Sequence, residues 1–289
     1  MKIINGKEIA DKIILDIKNE IISKNLNVGL AVILIGDDFA SKTYVRMKRK
    51  KCLDANINSY LFEYSNSIDE KTIIDKIHAL NNDDKIDGIL VQLPLPKHIS
   101  IKTVIEAIDP NKDIDGFHPI NVGKVLLGYD DTIFPCTPLG IKILLEKTKI
   151  DLTGKHVVII GRSNLVGKPL FAMLVQNKKK LNATVTICHS YTKDLKQIAL
   201  SADIIIAAIG KANFITKDFI KKGSIVIDVG INYENQSDGT KKIVGDVDYE
   251  NVKELCSYIT PVPKGVGPMT IAMLLKNSLI CHKKNKKYE

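Results

Sequence analysis

Apolar residues in the N-terminal third of the chain follow helical and strand periods in turn. Isoleucines recur every three or four positions from residue 7 to 24 with charged residues between them, which predicts an amphipathic helix. The same criteria predict helices at 41–55 and 70–80, and strands at 27–36, 59–64 and 86–93. Alternation of this kind favours right-handed βαβ units and a parallel sheet.

The same alternation restarts after a further helix. Pro138 is expected to open this helix, which runs to about residue 147, and Cys136 and Thr137 are possible caps. Strands are predicted at 156–160, 184–188, 203–209 and 224–229, and helices at 168–176, 195–200 and 270–280. The fold class that follows is α/β, with two α/β lobes, parallel sheets and a cleft between the lobes.

The composition is that of a soluble globular protein, because 45% of the 289 residues are hydrophobic and 26% are charged. No apolar run reaches the roughly 18 residues of a membrane span, and the charged start does not resemble a signal peptide. Five scattered cysteines, with no CxxC pair, argue against a disulfide framework and against a metal site. We therefore expect a reduced, cytoplasmic protein without a metal or a membrane partner.

The net charge of +9 allows two kinds of anionic partner, a nucleic acid or a small ligand such as a dinucleotide. Basic residues cluster at 46–51, at 178–180 and in the tail at 282–287. These clusters are dispersed and have few aromatic residues among them, unlike a nucleic-acid groove. We expect no nucleic-acid partner, and solvated surfaces for most of the lysines.

A glycine-containing turn follows the strand predicted at 156–160. It runs from Gly161 to Pro169 and opens a helix, and such a turn lets backbone N–H groups approach a phosphate. Ser163 stands where the dinucleotide fingerprint GxGxxG has its second glycine. Spacing alone therefore leaves two interpretations open, a dinucleotide site and a plain strand-to-helix turn.

The end of the next strand bears on the type of dinucleotide. NAD-binding folds usually place an acid there for the ribose 2′-hydroxyl, whereas residues 188–192 contain none. The lack of a carboxylate, together with Arg162, Ser190 and His189, permits a 2′-phosphate and favours NADP over NAD. His189 alone fits a surface histidine equally well.

Glycines also follow the two strands after that. Gly210 and the segment Gly230–Ile231 stand at carboxyl ends of predicted strands, where a cofactor is expected to lie against the backbone. Residues 245–248 and 260–268, which include Pro263 and Gly267, continue the same rim. Taken alone, these loops could equally be ordinary turns.

Lys48 is the candidate for proton transfer. At 100° per residue it shares one helix face with Tyr44 and Cys52, whereas Arg46, Arg49 and Lys50 are expected to face water. A lysine on an inward face either snorkels to the rim, which the pattern alone favours, or is held in a cleft where it can exchange protons.

Gln92 and Asp115 are the other candidates. Gln92 ends a predicted buried strand and Asp115 lies in an acidic loop, so the open-sheet rule places both on the rim with Tyr44. An aspartate before Gly116 is also common as a turn cap, and that interpretation stays open for Asp115.

The motifs taken together resemble the bifunctional methylenetetrahydrofolate dehydrogenase/methenyltetrahydrofolate cyclohydrolase family over nearly the whole chain. The matching segments are 44–48 (YVRMK), 91–96 (VQLPLP), 112–119 (KDIDGFHP), 135–138 (PCTP), 161–169 (GRSNLVGKP), 228–232 (DVGIN) and 261–270 (PVPKGVGPMT). Lys264 departs from the pattern, since the family usually has glycine there.

This resemblance implies oxidation of 5,10-methylenetetrahydrofolate with NADP, then hydrolysis to 10-formyltetrahydrofolate, by a homodimer. The implied catalytic residues are Lys48, Tyr44, Gln92 and Asp115, with Asp115 binding the pterin. Implied substrate contacts add Val91, Leu93, Pro263 and Gly267, and implied NADP contacts are Gly161, Arg162, Ser163, His189, Ser190, Gly210 and Ile231. The implied domains are a folate-binding domain at 1–135, completed by a C-terminal helix at 266–289, and a Rossmann-like NADP-binding domain at 136–265.

Three other interpretations remain at this point. The first is a folate dehydrogenase that lacks the hydrolytic step. The second is an unrelated two-lobed NADP oxidoreductase acting on an amino or hydroxy acid. The third is a nucleotide-binding module without enzymatic activity that contacts nucleic acid through residues 46–51.

Overall fold

Parallel strands form the core of both units into which the chain divides. The computed structural model describes residues 1–236 and 240–286. A six-stranded unit comprises Met1–Ala10, Val125–Tyr129 and Thr137–Thr270. A three-stranded unit comprises Asp11–Lys124, Asp130–Cys136 and, from the end of the chain, residues from Ile271 onward.

The elements alternate as expected for an α/β protein. The strands are β1 (Lys2–Ile3), β2 (Gly29–Ile35), β3 (Asn58–Tyr64), β4 (Gly88–Val91), β5 (His156–Ile160), β6 (Thr184–Cys188), β7 (Ile204–Ala207), β8 (Ile225–Asp228), β9 (Asn232–Asn235), β10 (Lys241–Val244) and β11 (Tyr258–Ile259). The helices are α1 (Gly6–Ser23), α2 (Phe39–Asp54), α3 (Glu70–Asn81), α4 (Ile101–Ala107), α5 (Pro119–Leu126), α6 (Cys136–Lys147), α7 (Gly167–Leu174), α8 (Leu195–Leu200), α9 (Tyr249–Val252) and α10 (Val266–Asn285).

The three-stranded unit is built around β2, which pairs in parallel with β3 on one side and β4 on the other. Every residue of β2 is buried, which explains its unbroken apolar sequence. Ile73 and Ile77 of α3 pack in the same core as Ile33 and Val91. Because the strands are parallel, Gln92 emerges at the edge of the sheet where β2 also ends.

The six-stranded unit has the strand order β1-β11-β8-β7-β5-β6, and every pair is parallel. The four strands β8, β7, β5 and β6 are neighbours, so the loops after them lie along one edge of the sheet. Backbone hydrogen bonds join these loops: Gly161 N donates to Cys188 O, and Ala208 N donates to Ile160 O, both at 2.9 Å. The antiparallel hairpin of β9 and β10 lies outside this sheet.

The predicted α/β class with parallel sheets is confirmed. Strands at 156–160 and 184–188 match to the residue. Residues 136 and 137 were expected as caps, but the helix already begins at Cys136. Short elements were missed, namely β1, α4, α5, β9, β10, α9 and β11. The predicted domain boundaries remain a prediction, and the last residues of the basic tail and of the predicted terminal helix lie outside the described residues.

The carboxyl-terminal part of α10 belongs to the three-stranded unit and is held there by buried polar contacts. Nδ1 of His282 lies 2.9 Å from Oδ2 of Asp87, and that carboxylate oxygen also accepts the N–H of Gly29 at 2.8 Å. Nδ2 of Asn277 donates to the carbonyl oxygens of Ile114 and Phe134, both at 2.8 Å. Helix α10 therefore fixes the loop that contains residues 113–118.

Within the described part of the chain, no helix is both long and apolar enough to span a bilayer. The same residues contain no group of three His, Cys, Asp or Glu side chains placed to hold a metal ion.

Candidate active site

Helix α2 carries Lys48 on its buried face. The carboxylate of Asp38 caps the helix by accepting the N–H of Ser41 at 2.7 Å, and Ser41, Val45, Lys48 and Cys52 are the buried residues. Only 6% of the surface of Lys48 is exposed. The helical spacing therefore placed Lys48 correctly on the inward face, but the favoured snorkelling to the rim is wrong.

The amine of Lys48 is held by an amide. Its Nζ donates to Oε1 of Gln92 at 3.0 Å, and Nε2 of Gln92 donates to the carbonyl oxygen of Leu93 at 2.7 Å. The second bond fixes which end of the amide faces the lysine. Two residues separated by 44 positions thus form one hydrogen-bonded chain.

The first aspartate of the acidic loop, Asp113, caps the turn of that loop. The buried carboxylate of Asp113 accepts the backbone N–H groups of Gly116, Phe117 and His118 at 3.1, 3.2 and 2.8 Å. It also accepts Nδ2 of Asn121 at 2.8 Å. The turn cap that was considered for Asp115 therefore belongs to Asp113, to which the sequence patterns gave no role.

The carboxyl group of Asp115 has a different environment. In the described parts of the chain it accepts no hydrogen bond, while its backbone is fixed by a 3.3 Å bond from Cys136 N to Asp115 O. Burial raises the pKa of Asp115 to about 6, the positive charge of Lys48 opposes that rise, and the charge of Asp113 adds to it. Lys48 is therefore near enough for its charge to act on Asp115.

An apolar pocket adjoins this carboxyl group. Val91 and Leu93 line it together with Asp115 and Phe117. Further lining comes from α4, through Ile101, Val104 and Ile105. The pocket thus combines two carboxyl groups, those of Asp113 and Asp115, with flat and branched apolar surface, and its cavity of about 20 Å³ has room for little more than one water molecule.

Tyr44 and Arg49 complete the description of α2. Tyr44 lies one turn before Lys48 on the same helix and is partly buried. Arg49, which was expected to face water, is partly buried, and its Nε is enclosed without a hydrogen-bond partner in the described residues. The structure brings Lys48, Gln92 and Asp115 together, with Tyr44 on the adjacent turn.

In the six-stranded unit, the Gly161 turn lies between β5 and α7. Gly161 has φ +133°, and a Cβ atom there would overlap the carbonyl oxygen of Ala208. A Cβ atom at Gly167 would likewise overlap the carbonyl oxygen of Gly161. The hydroxyl of Ser163 accepts the N–H of Val166 at 3.0 Å, so it supports the turn from within. The turn therefore requires glycine at both positions.

The end of β6 places the predicted 2′-phosphate residues next to this turn. Gly161 N bonds to Cys188 O, and His189 and Ser190 follow directly. Nδ1 of His189 accepts the N–H of Tyr191 at 3.2 Å, while Ser190 and Arg162 are exposed. These residues therefore leave polar groups accessible at the strand end.

The remaining predicted cofactor and substrate residues also belong to the six-stranded unit. Gly210 and Ile231 are exposed and follow β7 and β8. Pro263 is exposed after β11, and Gly267 lies in the first turn of α10. Lys264 has φ +85°, a value that favours glycine.

Two family models match this chain. Residues 4–115 match the catalytic domain of tetrahydrofolate dehydrogenase/cyclohydrolase, and residues 135–286 match its NAD(P)-binding domain. The chain belongs to the tetrahydrofolate dehydrogenase/cyclohydrolase family. The resemblance inferred from seven motifs is thereby confirmed.

Relatives within this family are similar over almost their full length. The bifunctional protein FolD of Bacillus cytotoxicus is 51% identical over 280 residues, which cover 96% of this chain and 95% of the relative. The bifunctional FolD of Campylobacter jejuni has a crystal structure with TM-score 0.93 and 48% identity, covering 99% of both chains. A Trypanosoma brucei member, solved with NADP and an inhibitor, has TM-score 0.92 and 33% identity, covering 99% of this chain and 98% of that one.

Proposed function

We propose that this protein oxidises 5,10-methylenetetrahydrofolate to 5,10-methenyltetrahydrofolate with NADP, and then hydrolyses the product to 10-formyltetrahydrofolate. Membership of the tetrahydrofolate dehydrogenase/cyclohydrolase family supports both activities. The observation that carries the proposal is the pair of hydrogen bonds from Lys48 to Gln92 and from Gln92 to Leu93, beside the carboxyl group of Asp115. It combines a proton-transfer group with an acid suited to a pterin.

Asp115 binds the pterin ring. Its carboxylate accepts hydrogen bonds from the exocyclic amino group and a ring N–H of the folate, and such charge-assisted bonds are stronger than neutral ones. The neighbouring apolar surface of Val91 and Leu93 receives the ring face. Asp113 binds no folate and instead shapes the turn that presents Asp115.

The oxidation requires mainly alignment. NADP, when bound, supplies the hydride acceptor. The residues of this chain hold the methylene carbon in position through the pterin contacts of Asp115, with the buried Lys48 and its hydrogen-bond partner Gln92 beside it. Pro263 and Gly267 contribute further substrate contacts.

The hydrolysis requires proton transfer at Lys48. Water adds its oxygen to the methenyl carbon, and one proton leaves that oxygen. The bond from this carbon to N5 of the folate then breaks as the hydroxyl proton is lost and N5 gains a proton, which gives the 10-formyl product and one net proton. Nζ of Lys48 exchanges these protons, Gln92 orients it by accepting its N–H, and Tyr44 assists from the preceding turn.

The cofactor site is the edge formed by the loops after β5, β6, β7 and β8. Gly161, Ser163 and Gly210 approach the dinucleotide through their backbone, and Ile231 packs against it. Arg162, His189 and Ser190 contact the 2′-phosphate, so NADP is preferred over NAD. A glutamate or aspartate at the end of β6 would repel that phosphate, and residues 188–192 contain none.

We further propose that the enzyme is a cytoplasmic homodimer that requires no nucleic acid and no membrane. All five cysteines are buried free thiols, which is compatible with a reducing compartment. Sedimentation analysis of the purified protein tests the dimer, and a single monomeric species at micromolar concentration would contradict it.

One absorbance assay tests both activities. The protein is given 5,10-methylenetetrahydrofolate with NADP or with NAD, and formation of the reduced cofactor is followed together with the methenyl product. We expect the cofactor to be reduced, the methenyl product to decay, and kcat/KM to be higher with NADP. Methenyl product that accumulates without decaying faster than in buffer would limit the function to the dehydrogenase. Equal or better use of NAD would contradict the role of residues 162, 189 and 190.

A further inference from the structure

Two buried aspartates join the loops at the cofactor edge of the six-stranded unit. Asp246 has no exposed surface and Asp228 is 3% exposed. Asp228 ends β8, whereas Asp246 follows β10 by two residues. Neither residue is among those assigned to catalysis or to cofactor contact.

Asp246 accepts hydrogen bonds from two different loops. Its Oδ2 accepts the backbone N–H groups of Ile209 and Gly210 at 2.6 and 3.0 Å. Its Oδ1 accepts the N–H of Lys211 at 2.9 Å and Nδ2 of Asn232 at 2.9 Å. One carboxylate therefore holds the loop after β7 against the segment after β8.

Asp228 holds the backbone of the segment after β10, which contains Asp246. Its Oδ1 accepts the N–H groups of Gly230 and Asp246 at 3.0 and 2.9 Å, and its Oδ2 accepts the N–H of Val247 at 3.0 Å. Burial, and then the neighbouring charge of Asp246, raise the pKa of Asp228 to about 7, while its backbone hydrogen bonds oppose the rise. Asp228 thus holds the backbone of Asp246, and Asp246 in turn holds the loop after β7.

Two glycines leave room for these carboxylates. A Cβ atom at Gly230 would overlap Oδ1 of Asp246, and a Cβ atom at Gly245 would overlap Oδ2 of Asp228. A buried carboxylate is costly unless hydrogen bonds replace its hydration, and here backbone N–H groups supply nearly all of them. The segments 228–230 (DVG) and 245–246 (GD) therefore form one hydrogen-bonded arrangement.

We infer that Asp246 is a positioning residue for the cofactor, and that Asp228 supports it. Gly210 and Ile231 are the cofactor contacts after β7 and β8 under the proposed function, on which this inference rests. Asp246 binds the N–H of Gly210 and the side chain of Asn232, the residue next to Ile231. It thereby sets the spacing between the two contacts, and it binds the three successive N–H groups of residues 209–211.

The test compares Asp246→Asn with Asp248→Asn, a matched change two residues away. Asp248 is only partly buried, and its carboxylate binds the side chain of Asn251. Asparagine at position 246 keeps one acceptor oxygen and turns an NH₂ group toward donors. Because hydrogen bonds to a charged group contribute about 1.5–3 kcal/mol, we expect KM for NADP to rise about 10- to 100-fold. We expect Asp248→Asn to keep the wild-type KM.

The hydrolysis of methenyltetrahydrofolate provides the internal control, because that step does not consume NADP. We expect Asp246→Asn to hydrolyse this substrate at the wild-type rate and to keep kcat of the dehydrogenase at saturating NADP. In a folded Asp246→Asn variant, an unchanged KM for NADP would overturn the inference, and so would a parallel loss of both activities. A wild-type protein that binds no NADP by calorimetry would instead contradict the proposed function.

A milder variant serves if Asp246→Asn does not fold. Asn232→Ala removes one of the four hydrogen bonds to Asp246 and leaves the carboxylate in place. We expect it to raise KM for NADP by several-fold without changing the hydrolysis rate. A wild-type KM for NADP in this variant would overturn the inference.

Discussion

Nζ of Lys48 donates a 3.0 Å hydrogen bond to Oε1 of Gln92, and this bond joins helix α2 to the end of strand β4. Gln92 cannot turn its amide around without also losing the bond from its Nε2 to Leu93 O. The position of the amine therefore depends on the backbone just after β4. Substitution of either partner is expected to change proton transfer more than stability.

Lys48→Met is expected to abolish hydrolysis of methenyltetrahydrofolate. Methionine keeps most of the buried aliphatic volume but cannot exchange protons, so we expect the rate to fall at least about 100-fold. The measurement is the decay of the methenyl substrate under single-turnover conditions. Lys50→Met is the control, because Lys50 is exposed on the same helix. Hydrolysis at the wild-type rate in Lys48→Met would remove Lys48 from the mechanism.

Gln92→Ala is expected to act through Lys48. Loss of the acceptor should lower the hydrolysis rate about tenfold, the effect of one good hydrogen bond. If Gln92 only orients the amine, the double variant with Lys48→Met should be no slower than Lys48→Met alone. Additive losses in this double-mutant cycle would show that Gln92 has a separate role.

Folate affinity is expected to weaken in acid. The pKa of Asp115 is raised to about 6, so its carboxylate becomes protonated as the pH falls through that value. The charge-assisted bonds to the pterin are then lost, and Kd should rise up to tenfold per pH unit below 6. Calorimetry with a folate that does not titrate in this range measures the effect. Asp115→Asn should bind weakly at every pH, and a parallel pH dependence in that variant would assign the titration to another group.

Asp115 is also expected to cost stability near neutral pH. A folded-state pKa above the unfolded value means that the folded protein binds the proton more tightly. The resulting stabilisation is complete below the unfolded pKa and is lost as pH rises through about 6. Asp115→Asn should therefore raise Tm at pH 7 relative to the wild type and less so at pH 4, by thermal denaturation followed by circular dichroism. A lower Tm for the variant at pH 7 would contradict this assignment.

Gly161→Ala is expected to impair NADP binding. The methyl group would overlap Ala208 O, and φ +133° is unfavourable for alanine. We expect the turn to shift and Kd for NADP to rise at least tenfold, measured by calorimetry. Gly123→Ala is the control, since a Cβ atom there meets no neighbour within 4 Å and the position is helical. Equal NADP affinity in both variants would exclude the turn from the cofactor site.

The sequence predicts strand bounds and side-chain directions where the local pattern alone determines them. The strand His156–Ile160 is an apolar run ended by a glycine turn, so its bounds follow from the pattern. Lys48 shares a helical period with Val45 and Cys52, so its inward direction also follows. Its burial does not, because the partner that replaces solvent is Gln92, which is 44 positions away.

Other features depend on contacts that no local pattern encodes. Asp113 and Asp115 flank Ile114 in the same loop, and only the fold shows which carboxylate accepts the backbone of the turn. Helix α5 was missed because it is short and contains Gly123. The hairpin of β9 and β10 was missed because its strands are rich in polar residues.

Neither unit is encoded by one uninterrupted stretch of the gene. Strand β1 at residues 2–3 has β11 at 258–259 as its partner, and the buried Asp87 has His282. During synthesis, β1 and Asp87 therefore cannot form these hydrogen bonds until residues 258–282 have been translated. A nonsense codon that removes α10 from residue 277 onward would deprive Asp87 of His282 and the carbonyl oxygen of Ile114 of Nδ2 of Asn277. The predicted catalytic residues Tyr44, Lys48, Gln92 and Asp115 would still have been translated.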